Sequence, residues 1–373
     1  MSKAAELAAL IGSQSALSNR NLVINGAMQV AQRGTSTTGL QNSGGKFTVD
    51  RFAYRRGGTW TNLQVKHEQV DATVPGGPGL TKALKATCTT AEGSAPSSGE
   101  STAIGYYFER QDTNPIGPGT SGMLNSVFSF YARASIATTY GIDLIASQHS
   151  TTQVVRIPFT IDSADTWQRI SVSIPTYTEA LDSTADNAVG WQMHIVLDGV
   201  SSSQTNSTWV DRSGGIELPN GVSTTAFSNT ANATFEVTGV QLELGEQATP
   251  FEHRSFGDEL ARCQRYFYRW LSTGLYTEAW IGGVVTANIA RGTFYLPTVM
   301  RAGPAISNSG NFRLHEYAGS DYSNISAVSI NRNNPLTPYM QCSLDSSPLT
   351  VGRLIGFSAS NDDDATLDFS AEL

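Results

Sequence analysis

The sequence predicts a mainly β protein built from two β-sandwiches. Short runs in which apolar and polar residues alternate recur along the whole chain, and this period of two is typical of strands that bury one face. Clusters of Gly, Asn, Ser, Thr and Pro separate the runs and supply turns. Convincing helical periodicity occurs in a single long segment near residue 260. Many short strands with turns between them favour two-sheet sandwiches of jelly-roll or similar topology.

The helical segment divides the chain. At 373 residues the chain is long enough for two domains with their own cores. We expect a short N-terminal anchor helix in an anchor segment (residues 1–20), a jelly-roll β-sandwich (21–252), a linker helix (253–271) and a small C-terminal β-sandwich (272–373).

The anchor segment predicts a short helix that needs a partner. Its apolar residues follow helical spacing, and Leu7, Leu10 and Ile11 are the candidate anchoring side chains. A helix of about three turns is marginal alone in water, so it would dock on its own domain, on copies of itself or on another protein. A frayed terminus is the alternative.

The remaining pattern predicts strands. Those of the N-terminal sandwich are expected at 22–24, 28–30, 47–54, 63–70, 102–110, 123–132, 139–147, 152–161, 168–174, 191–197 and 234–244. Those of the C-terminal sandwich are expected at 279–290, 292–296, 305–309, 311–317, 325–330, 339–344, 354–359 and 365–371. Because the first and last strands of such sandwiches commonly pair, Leu22–Val30 is expected to lie beside Phe235–Leu244.

The linker helix is predicted from its cap and its apolar stripe. Ser255 is a candidate N-cap, and Asp258 stands three residues later, where a capping box places an acid. We expect the stripe to be buried between copies of the chain in a homotrimer. Its members, at helical spacing, are Leu260, Cys263, Phe267 and Trp270.

The composition argues against two classes of partner. The formal net charge of −8 disfavours a broad surface for nucleic acid. No run approaches the ~20 apolar residues that cross a bilayer, so no membrane insertion is expected. The opening residues are too few and include Glu6, which disfavours a signal peptide, and we expect synthesis in the cytoplasm.

No metal or cofactor site is predicted. Cys88, Cys263 and Cys342 are far apart and outside metal-ligand spacing, so buried thiols are expected. The acidic run Asn361–Asp364 could ligate Ca²⁺ through its carboxylates, but a hairpin tip before the last strand is the favoured interpretation. No glycine motif for nucleotides stands between a strand and a helix.

Two carboxylate pairs come closest to a catalytic pattern. A glycosidase needs two carboxylates about 5 to 10 Å apart in a cleft. The pairs are Glu109 with Asp112, and Asp162 with Asp165, each at the end of a strand or in a loop. A solvated turn is the favoured interpretation of both, and His194 fits a strand better than a catalytic base. No catalytic residue is therefore predicted.

Several motifs together have the pattern of a known family. They are Asn21–Gly34, Asp50–Phe52, Gln241–Arg254, Glu259–Phe267 and the chain ending Leu367–Leu373. They resemble motifs of bacteriophage and prophage tail-fibre and other virion fibre proteins. The opening stretch, Met1–Arg20, is similar to that of proteins from phages of marine cyanobacteria.

The N-terminal sandwich also resembles a sugar-binding domain. Phe128–Arg133 and Trp167–Pro175 are similar to strands of jelly-roll carbohydrate-binding modules. An apolar sugar face packs on an aromatic ring while polar side chains bind its hydroxyls. The candidates for stacking, each weighed against ordinary core packing, are Trp60, Tyr106, Tyr107, Tyr131, Trp191 and Trp209.

The resemblance implies a non-enzymatic virion protein. We expect a homotrimeric tail fibre at the tail or capsid surface of a phage particle, attached to other virion proteins through its N-terminal segment. Its expected role is host adsorption by binding a bacterial surface polysaccharide. Two alternatives stay open, namely a capsid-attached fibre or decoration protein without a receptor, and a carbohydrate-active hydrolase.

Overall fold

The computed structural model consists of two compact units, of which the first ends at Glu259 and the second spans Leu260–Glu372. Most of its regular structure is strand, which confirms the predicted fold class. The predicted anchor helix, with Leu7, Leu10 and Ile11, lies outside the residues that the structure describes. The described residues are 20–41, 46–147, 152–179, 186–222, 227–317, 320–322, 325–345 and 349–373.

The first unit contains two antiparallel sheets. Sheet A has the strand order β1-β4-β5-β13-β7-β10, and sheet B has the order β12-β9-β8-β11-β6-β3-β2. The strands are β1 Ser36–Leu40, β2 Lys46–Phe47, β3 Phe52–Gly57, β4 Gln64–Asp71, β5 Lys82–Thr90, β6 Ser101–Glu109, β7 Ser126–Ala134, β8 Thr139–Ala146, β9 Gln153–Thr160, β10 Gln168–Ile174, β11 Val189–Gly199, β12 Val210–Asp211 and β13 Thr234–Leu244. A short α-helix, Arg110–Thr113, and a 3₁₀ turn, Asn114–Ile116, follow β6.

One apolar core joins the two sheets. Strand β6 of sheet B points Ile104, Tyr106 and Phe108 inward, and β7 of sheet A supplies Phe128 and Phe130 from the other side. These alternate positions are buried because successive side chains of a strand point to opposite faces. Two antiparallel sheets over a shared core are the predicted jelly-roll β-sandwich.

The second unit is the predicted smaller sandwich. Sheet C has the order β14-β23-β17, and sheet D has the order β19-β18-β22-β15-β16-β21-β20. Trp280 and Phe357 of sheet D stack with ring centroids 5.2 Å apart, and Phe369 of sheet C belongs to the same core. The strands are β14 Phe267–Leu271, β15 Glu278–Thr286, β16 Ile289–Thr293, β17 Ala305–Ser309, β18 Phe312–Glu316, β19 Ser320–Tyr322, β20 Ile325–Arg332, β21 Tyr339–Leu344, β22 Leu354–Ala359 and β23 Thr366–Ser370.

The linker helix begins where predicted. It spans Phe256–Gln264, directly after Ser255. The Asp258 N–H donates to Ser255 Oγ at 3.2 Å, and Ser255 Oγ donates to the Asp258 carboxylate at 2.6 Å. This reciprocal capping satisfies a backbone donor of the first turn.

The helix ends earlier than predicted. Phe267–Leu271 is the strand β14, in which Trp270 pairs with Leu367 of β23. The aromatic run of β14 favours a strand, and a partner strand is present. Leu260, Cys263, Phe267 and Trp270 therefore do not form one helical stripe. Cys263 and Phe267 are buried within the chain, at 0% and 3% exposure, so they are not available to a second copy.

The opening of the first unit lies beside its last strand, as expected. The Leu22 N–H donates to Leu242 O, and the Val240 N–H donates to Gly26 O, both at 2.9 Å. Residues 21–33 nevertheless form turns, so the two strands predicted there are wrong. Strand β5 was not predicted because Ala and Lys, which fill much of it, are poor strand formers.

Candidate functional site

Residues of four of the motifs behind the family resemblance meet inside the first unit, namely of Asn21–Gly34, Asp50–Phe52, Gln241–Arg254 and the start of Glu259–Phe267. Asn25 Nδ2 donates to the carbonyls of Val30 and Asp50, both at 2.9 Å, and Asn25 Oδ1 accepts from the Val30 N–H at 2.9 Å. The Asn25 N–H donates to Glu259 Oε1 at 2.9 Å. The motif residues thus bind one another and hold the fold.

Arg254 has a similar structural role. It donates to the carbonyl oxygens of Asn21 and Val23, and it lies 3.3 Å from Glu259 Oε1. The neighbouring Glu252 accepts the Asn21 N–H at 2.8 Å. The charged side chains of this stretch therefore stabilise the chain opening, and they form no catalytic constellation.

The outer face of sheet B, which points away from the core, carries a different set of residues. In β6, Gly105 and Tyr107 alternate with the core residues and point outward. His194 of β11 lies opposite both Gly105 and Asp143 in the sheet register. Arg156 of β9 lies opposite Asp143 in turn. A row of ionisable side chains therefore crosses this face.

One half of the row is a buried ion-pair group. Arg156 lies 3.7 Å from Asp143 and 3.1 Å from Glu217, and it also donates to Gln204. Asp143 accepts the Glu217 N–H at 3.1 Å. Burial raises the pKa of Asp143 to about 6 although Arg156 acts in the opposite direction.

The segment 200–222 covers this half. Leu218 and Val222 pack on Ala103 and Val196 of sheet B. Pro219 occupies the space that a side chain at Gly141 would need. Asp143 and Arg156 are consequently 0% and 1% exposed, which closes them to a ligand.

The other half of the row stays open, and we call it the Arg55–Tyr107 face. It is formed by Arg55, Tyr107 and Arg212, and the buried His194 lies beside Tyr107 beneath this surface. The Arg55 guanidinium lies over the Tyr107 ring, 4.2 Å from its centroid, and both side chains are partly exposed. Gly105 permits this position, since a Cβ there would lie 2.7 Å from Arg55 Cγ.

The Arg55–Tyr107 face is electropositive. Burial, Arg55 and Arg212 lower the pKa of His194 to about 3, so the imidazole is neutral. Neither Arg55 nor Arg212 forms a side-chain hydrogen bond or ion pair with any residue that the structure describes. Two guanidinium groups beside an aromatic ring thus have no carboxylate partner among the described residues.

Only one of the six predicted stacking residues lies on this face. Tyr107 does, whereas its sequence neighbour Tyr106 points into the core at 1% exposure. Trp60 and Trp191, at 5% and 1%, are also core residues. Their rings fill the space between the sheets, so they offer no surface to a sugar.

The other two predicted rings are held by internal contacts. Tyr131 is 7% exposed, and its hydroxyl donates to Gly76 O at 2.6 Å. Trp209 is partly buried, packs 4.5 Å from Tyr177 and donates to Pro175 O at 2.7 Å. The residues that sequence reasoning missed are Arg55 and Arg212. Strand alternation was the available signal for Arg55, and no local signal marked Arg212.

The solvated turn expected for both carboxylate pairs is wrong for Glu109, which is buried at the end of β6, whereas Asp162 and Asp165 are exposed. Glu109 is 0% exposed and accepts from Gln111 Nε2 at 2.7 Å. Asp165 occupies a turn with φ of 56°, and the nearby Asp162 N–H donates to a glutamine side chain at 3.0 Å. Neither pair presents two accessible carboxylates in a cleft.

Within the described ranges, no group of three or more His, Cys, Asp or Glu side chains is placed to hold a metal. Asn361–Asp364 is an exposed turn in which the Asp364 N–H donates to Asp362 Oδ1 at 3.0 Å. It joins β22 of sheet D to β23 of sheet C, so the predicted hairpin tip is wrong.

The three cysteines are buried thiols, as predicted. No helix in the described part of the chain is long and apolar enough to span a bilayer.

The chain matches no protein-family model and no curated protein. Among solved structures, it is similar to the enzymatically active domain of tailspike protein 4 of bacteriophage CBA120, with 12% identity, 60% of this chain and 21% of that chain covered, and a TM-score of 0.32. It is also similar to the family 11 carbohydrate-binding module of Clostridium thermocellum in complex with a mixed-linked tetrasaccharide. The identity is 11%, the match covers 58% of this chain and 99% of that chain, and the TM-score is 0.28. The tandem CBM22 domain of Paenibacillus barcinonensis Xyn10C is similar at 10% identity, with 91% of this chain and 98% of that chain covered and a TM-score of 0.28. Likenesses of this size assign no function to the chain.

Proposed function

We propose that this protein is a phage tail fibre that binds an anionic bacterial surface polysaccharide on its Arg55–Tyr107 face. The observation that carries the proposal is the Arg55 guanidinium stacked 4.2 Å over a partly exposed Tyr107 ring, with Arg212 nearby and no acidic partner for either arginine among the described residues. The virion role rests on the motif resemblance, and it includes attachment to other virion proteins through residues 1–20.

The chemistry of the face selects its ligand. A guanidinium binds a carboxylate through two parallel hydrogen bonds, which makes arginine suited to uronic acids and similar acidic sugars. An aromatic ring packs against the apolar face of a pyranose. The Tyr107 hydroxyl can also donate a hydrogen bond, and burial, which raises its pKa, favours this protonated form further.

The fibre is proposed to be a homotrimer. Of the thirteen exposed large apolar side chains in the described part of the chain, eleven belong to the C-terminal unit. Tyr295, Val299 and Leu336 lie close together there, because the Leu296 N–H donates to Leu336 O at 3.0 Å. We name these three residues the Val299 patch and assign it to self-association. Three copies would present three binding faces, which raises avidity.

The proposed function is not enzymatic. Asp143 has the raised pKa that a general acid needs, but the segment 200–222 buries it completely. Incubation with host polysaccharide and chromatography of the products tests this point. We expect no released oligosaccharide, and release that Asp143→Asn or Glu217→Gln abolishes would establish the hydrolase alternative.

Binding of the full chain to immobilised acidic surface polysaccharide tests the proposed function. We expect Tyr107→Ala and Arg55→Ala each to weaken binding about tenfold, since each removes ~1.4 kcal/mol of contact. Arg169→Ala, which removes an exposed arginine from β10 of sheet A, is the matched control and should bind as the wild type does. Equal binding by all four proteins would contradict the proposal.

The decoration-protein alternative makes a different prediction. A capsid-attached protein without a receptor would bind no host polysaccharide and would be located on the shell. Electron microscopy of particles labelled with an antibody against the C-terminal unit distinguishes the two, because the tail-fibre proposal places the label at the tail.

A further inference from the structure

The outer face of sheet D brings six side chains that can form hydrogen bonds close together. Three adjacent strands form its floor, in the order β18-β22-β15. Arg313 lies opposite Ser358, and His315 lies opposite Gly356. On the other side of β22, Glu278 lies opposite Ser358. The Glu278 cluster, as we call it, comprises Tyr276, Glu278, Arg313, His315, Tyr317 and Ser358.

Gly356 gives the cluster its shape. A side chain at this position would collide with both Glu278 Oε1 and the His315 ring. Without one, the carboxylate and the imidazole meet above the backbone of β22, with His315 Nε2 3.4 Å from Glu278 Oε1. The Tyr317 hydroxyl donates to the same oxygen at 2.6 Å. Three polar side chains therefore converge over a shallow depression in the sheet.

The second carboxylate oxygen is available to a ligand. Glu278 Oε2 has no hydrogen bond or ion pair within the described part of the chain, and the side chain is 36% exposed. On the neighbouring strand, Arg313 Nε donates at 3.2 Å to Oγ of Ser358, which is itself 1% exposed and therefore holds the guanidinium in place from below. A positioned guanidinium and a carboxylate oxygen thus lie on the same face of the sheet.

Exposed aromatic rings flank the polar groups. Tyr276 is 53% exposed, with the Arg313 guanidinium 4.4 Å from its ring centroid. Tyr317 is 52% exposed, and the His315 ring meets it edge-on at 5.0 Å. Held in this way, both rings are oriented before a ligand arrives, which lowers the entropy cost of binding.

We propose that the Glu278 cluster is a second binding site, for the pyranose ring of a neutral saccharide. Vicinal sugar hydroxyls donate to the Glu278 carboxylate and accept from Arg313, and the C–H face of the ring packs on Tyr276 or Tyr317. The free carboxylate oxygen disfavours an acidic sugar here, in contrast to the Arg55–Tyr107 face. The two sites thus recognise different sugar units, and neither depends on the other.

A second copy of the chain is the rival occupant. Ile281 and Leu354, 49% and 59% exposed, adjoin the cluster on the same face of sheet D and could pack on protein. Protein packing would bury the Glu278 carboxylate without a cationic partner for Oε2, which costs free energy. Sugar hydroxyls supply the missing donors, and this favours the saccharide.

Saturation-transfer NMR on the full chain tests the proposal. The probes are methyl β-galactopyranoside, methyl α-mannopyranoside and cellobiose. We expect at least one to bind with millimolar affinity, and Glu278→Gln and Tyr317→Ala each to weaken it about tenfold. Two variants should leave its Kd unchanged. Tyr107→Ala alters the N-terminal face, and Val351→Ala removes a 63% exposed side chain that belongs neither to the Glu278 cluster nor to the Val299 patch.

The outcomes separate the two sites and the two occupants. Binding that Tyr107→Ala abolishes would move the neutral sugar to the N-terminal face and overturn the proposal. No binding by any probe overturns it as well, as does a change of oligomer mass in Tyr317→Ala without a change in sugar affinity. Circular dichroism and intrinsic tryptophan fluorescence, to which both units contribute, establish that each variant is folded.

Discussion

Asn25 combines an uncommon backbone conformation with five hydrogen bonds, three of which its side chain forms. Its φ of 61° lies in the left-handed region, where Asn is among the residues best tolerated after Gly. Its side chain satisfies backbone groups of Val30 and Asp50, and it is 0% exposed. A single side chain therefore fixes the chain opening to the segment that precedes β3.

Asn25→Ala should destabilise the first unit by about 3 kcal/mol or more. The substitution leaves buried backbone groups without hydrogen-bond partners, and it places alanine in the left-handed conformation, which alanine tolerates less well than asparagine. Asn232 is the matched control, since its φ is 65° and its side chain is exposed. Asn232→Ala should cost only about 1 kcal/mol. Urea unfolding of both variants provides the comparison, and equal losses would show that the hydrogen bonds of Asn25 contribute nothing.

His67 makes the stability of the first unit depend on pH. Burial lowers its pKa to about 3, whereas an unfolded chain has a His pKa of about 6.5. Between these values the unfolded chain binds a proton that the folded chain does not, so stability is lost as the pH falls. For one histidine the loss at pH 4.5 is about 3 kcal/mol relative to pH 7.

His67→Phe should remove this part of the acid sensitivity. The free energy of unfolding is measured in urea at pH 7 and at pH 4.5. The loss between these two pH values should be about 3 kcal/mol smaller in the variant than in the wild type. His253→Phe, at an exposed position, is the control. An unchanged difference in His67→Phe would mean that the folded protein accommodates a charged imidazole at position 67.

At the residue scale, the sequence analysis included the aromatic ring of the proposed Arg55–Tyr107 face but missed its two arginines. Tyr107 was a candidate because it is aromatic and lies in an alternating strand. The other five candidates are buried or held by internal contacts. Alternation alone does not tell which face of a strand is buried for Tyr106, Tyr131 and Trp191, and Trp60 and Trp209 lie outside strands. Arg55 and Arg212 are 157 positions apart, and only the folding of 200–222 back over sheet B brings them together.

At the element scale, strands with strict alternation were predicted to the residue. Gln168–Ile174, Thr234–Leu244 and Tyr339–Leu344 have the predicted bounds. Failures occurred where tertiary pairing outweighs local pattern. Phe267–Leu271 continues the helical spacing of the linker helix, yet it pairs with β23 along its whole length. Pairing over a long sequence separation is not visible in local periodicity.

The strand assignment of Phe267–Leu271 predicts effects of very different size for two substitutions in it. Phe267 is 3% exposed and Leu271 is 49% exposed. Phe267→Asp should destabilise the C-terminal unit by at least ~3 kcal/mol, because it buries a carboxylate in place of a large apolar ring. Leu271→Asp should change the stability by less than about 0.5 kcal/mol. Thermal unfolding followed by near-UV circular dichroism measures both, and similar losses would contradict the strand.

At the scale of the whole molecule, charge and exposed apolar surface are unevenly distributed. The chain is acidic overall, with a formal net charge of −8, yet the Arg55–Tyr107 face is electropositive. Nearly all exposed apolar side chains belong to the C-terminal unit. We therefore propose acidic-glycan binding for the first unit, on the basis of its arginines, and self-association for the C-terminal unit, on the basis of its exposed apolar side chains.

The Val299 patch predicts the effect of charge on assembly. Val299→Asp combined with Leu336→Asp should convert a trimer into a monomer, because the patch would bury two carboxylates against apolar side chains. Leu124→Asp, at an exposed leucine of the first unit, should leave the trimer intact. Size-exclusion chromatography with light scattering gives the masses. A wild-type chain that is monomeric at micromolar concentration would exclude the trimer.

Calorimetric titration of the full chain with a galacturonate tetrasaccharide tests the central claim most directly. We predict that the wild type and Arg169→Ala bind it with the same Kd. Tyr107→Ala and Arg55→Ala should each weaken binding about tenfold, and added salt should weaken the wild type further. A Kd that is the same in the wild type and in Arg55→Ala would contradict the assignment of this face to an anionic glycan.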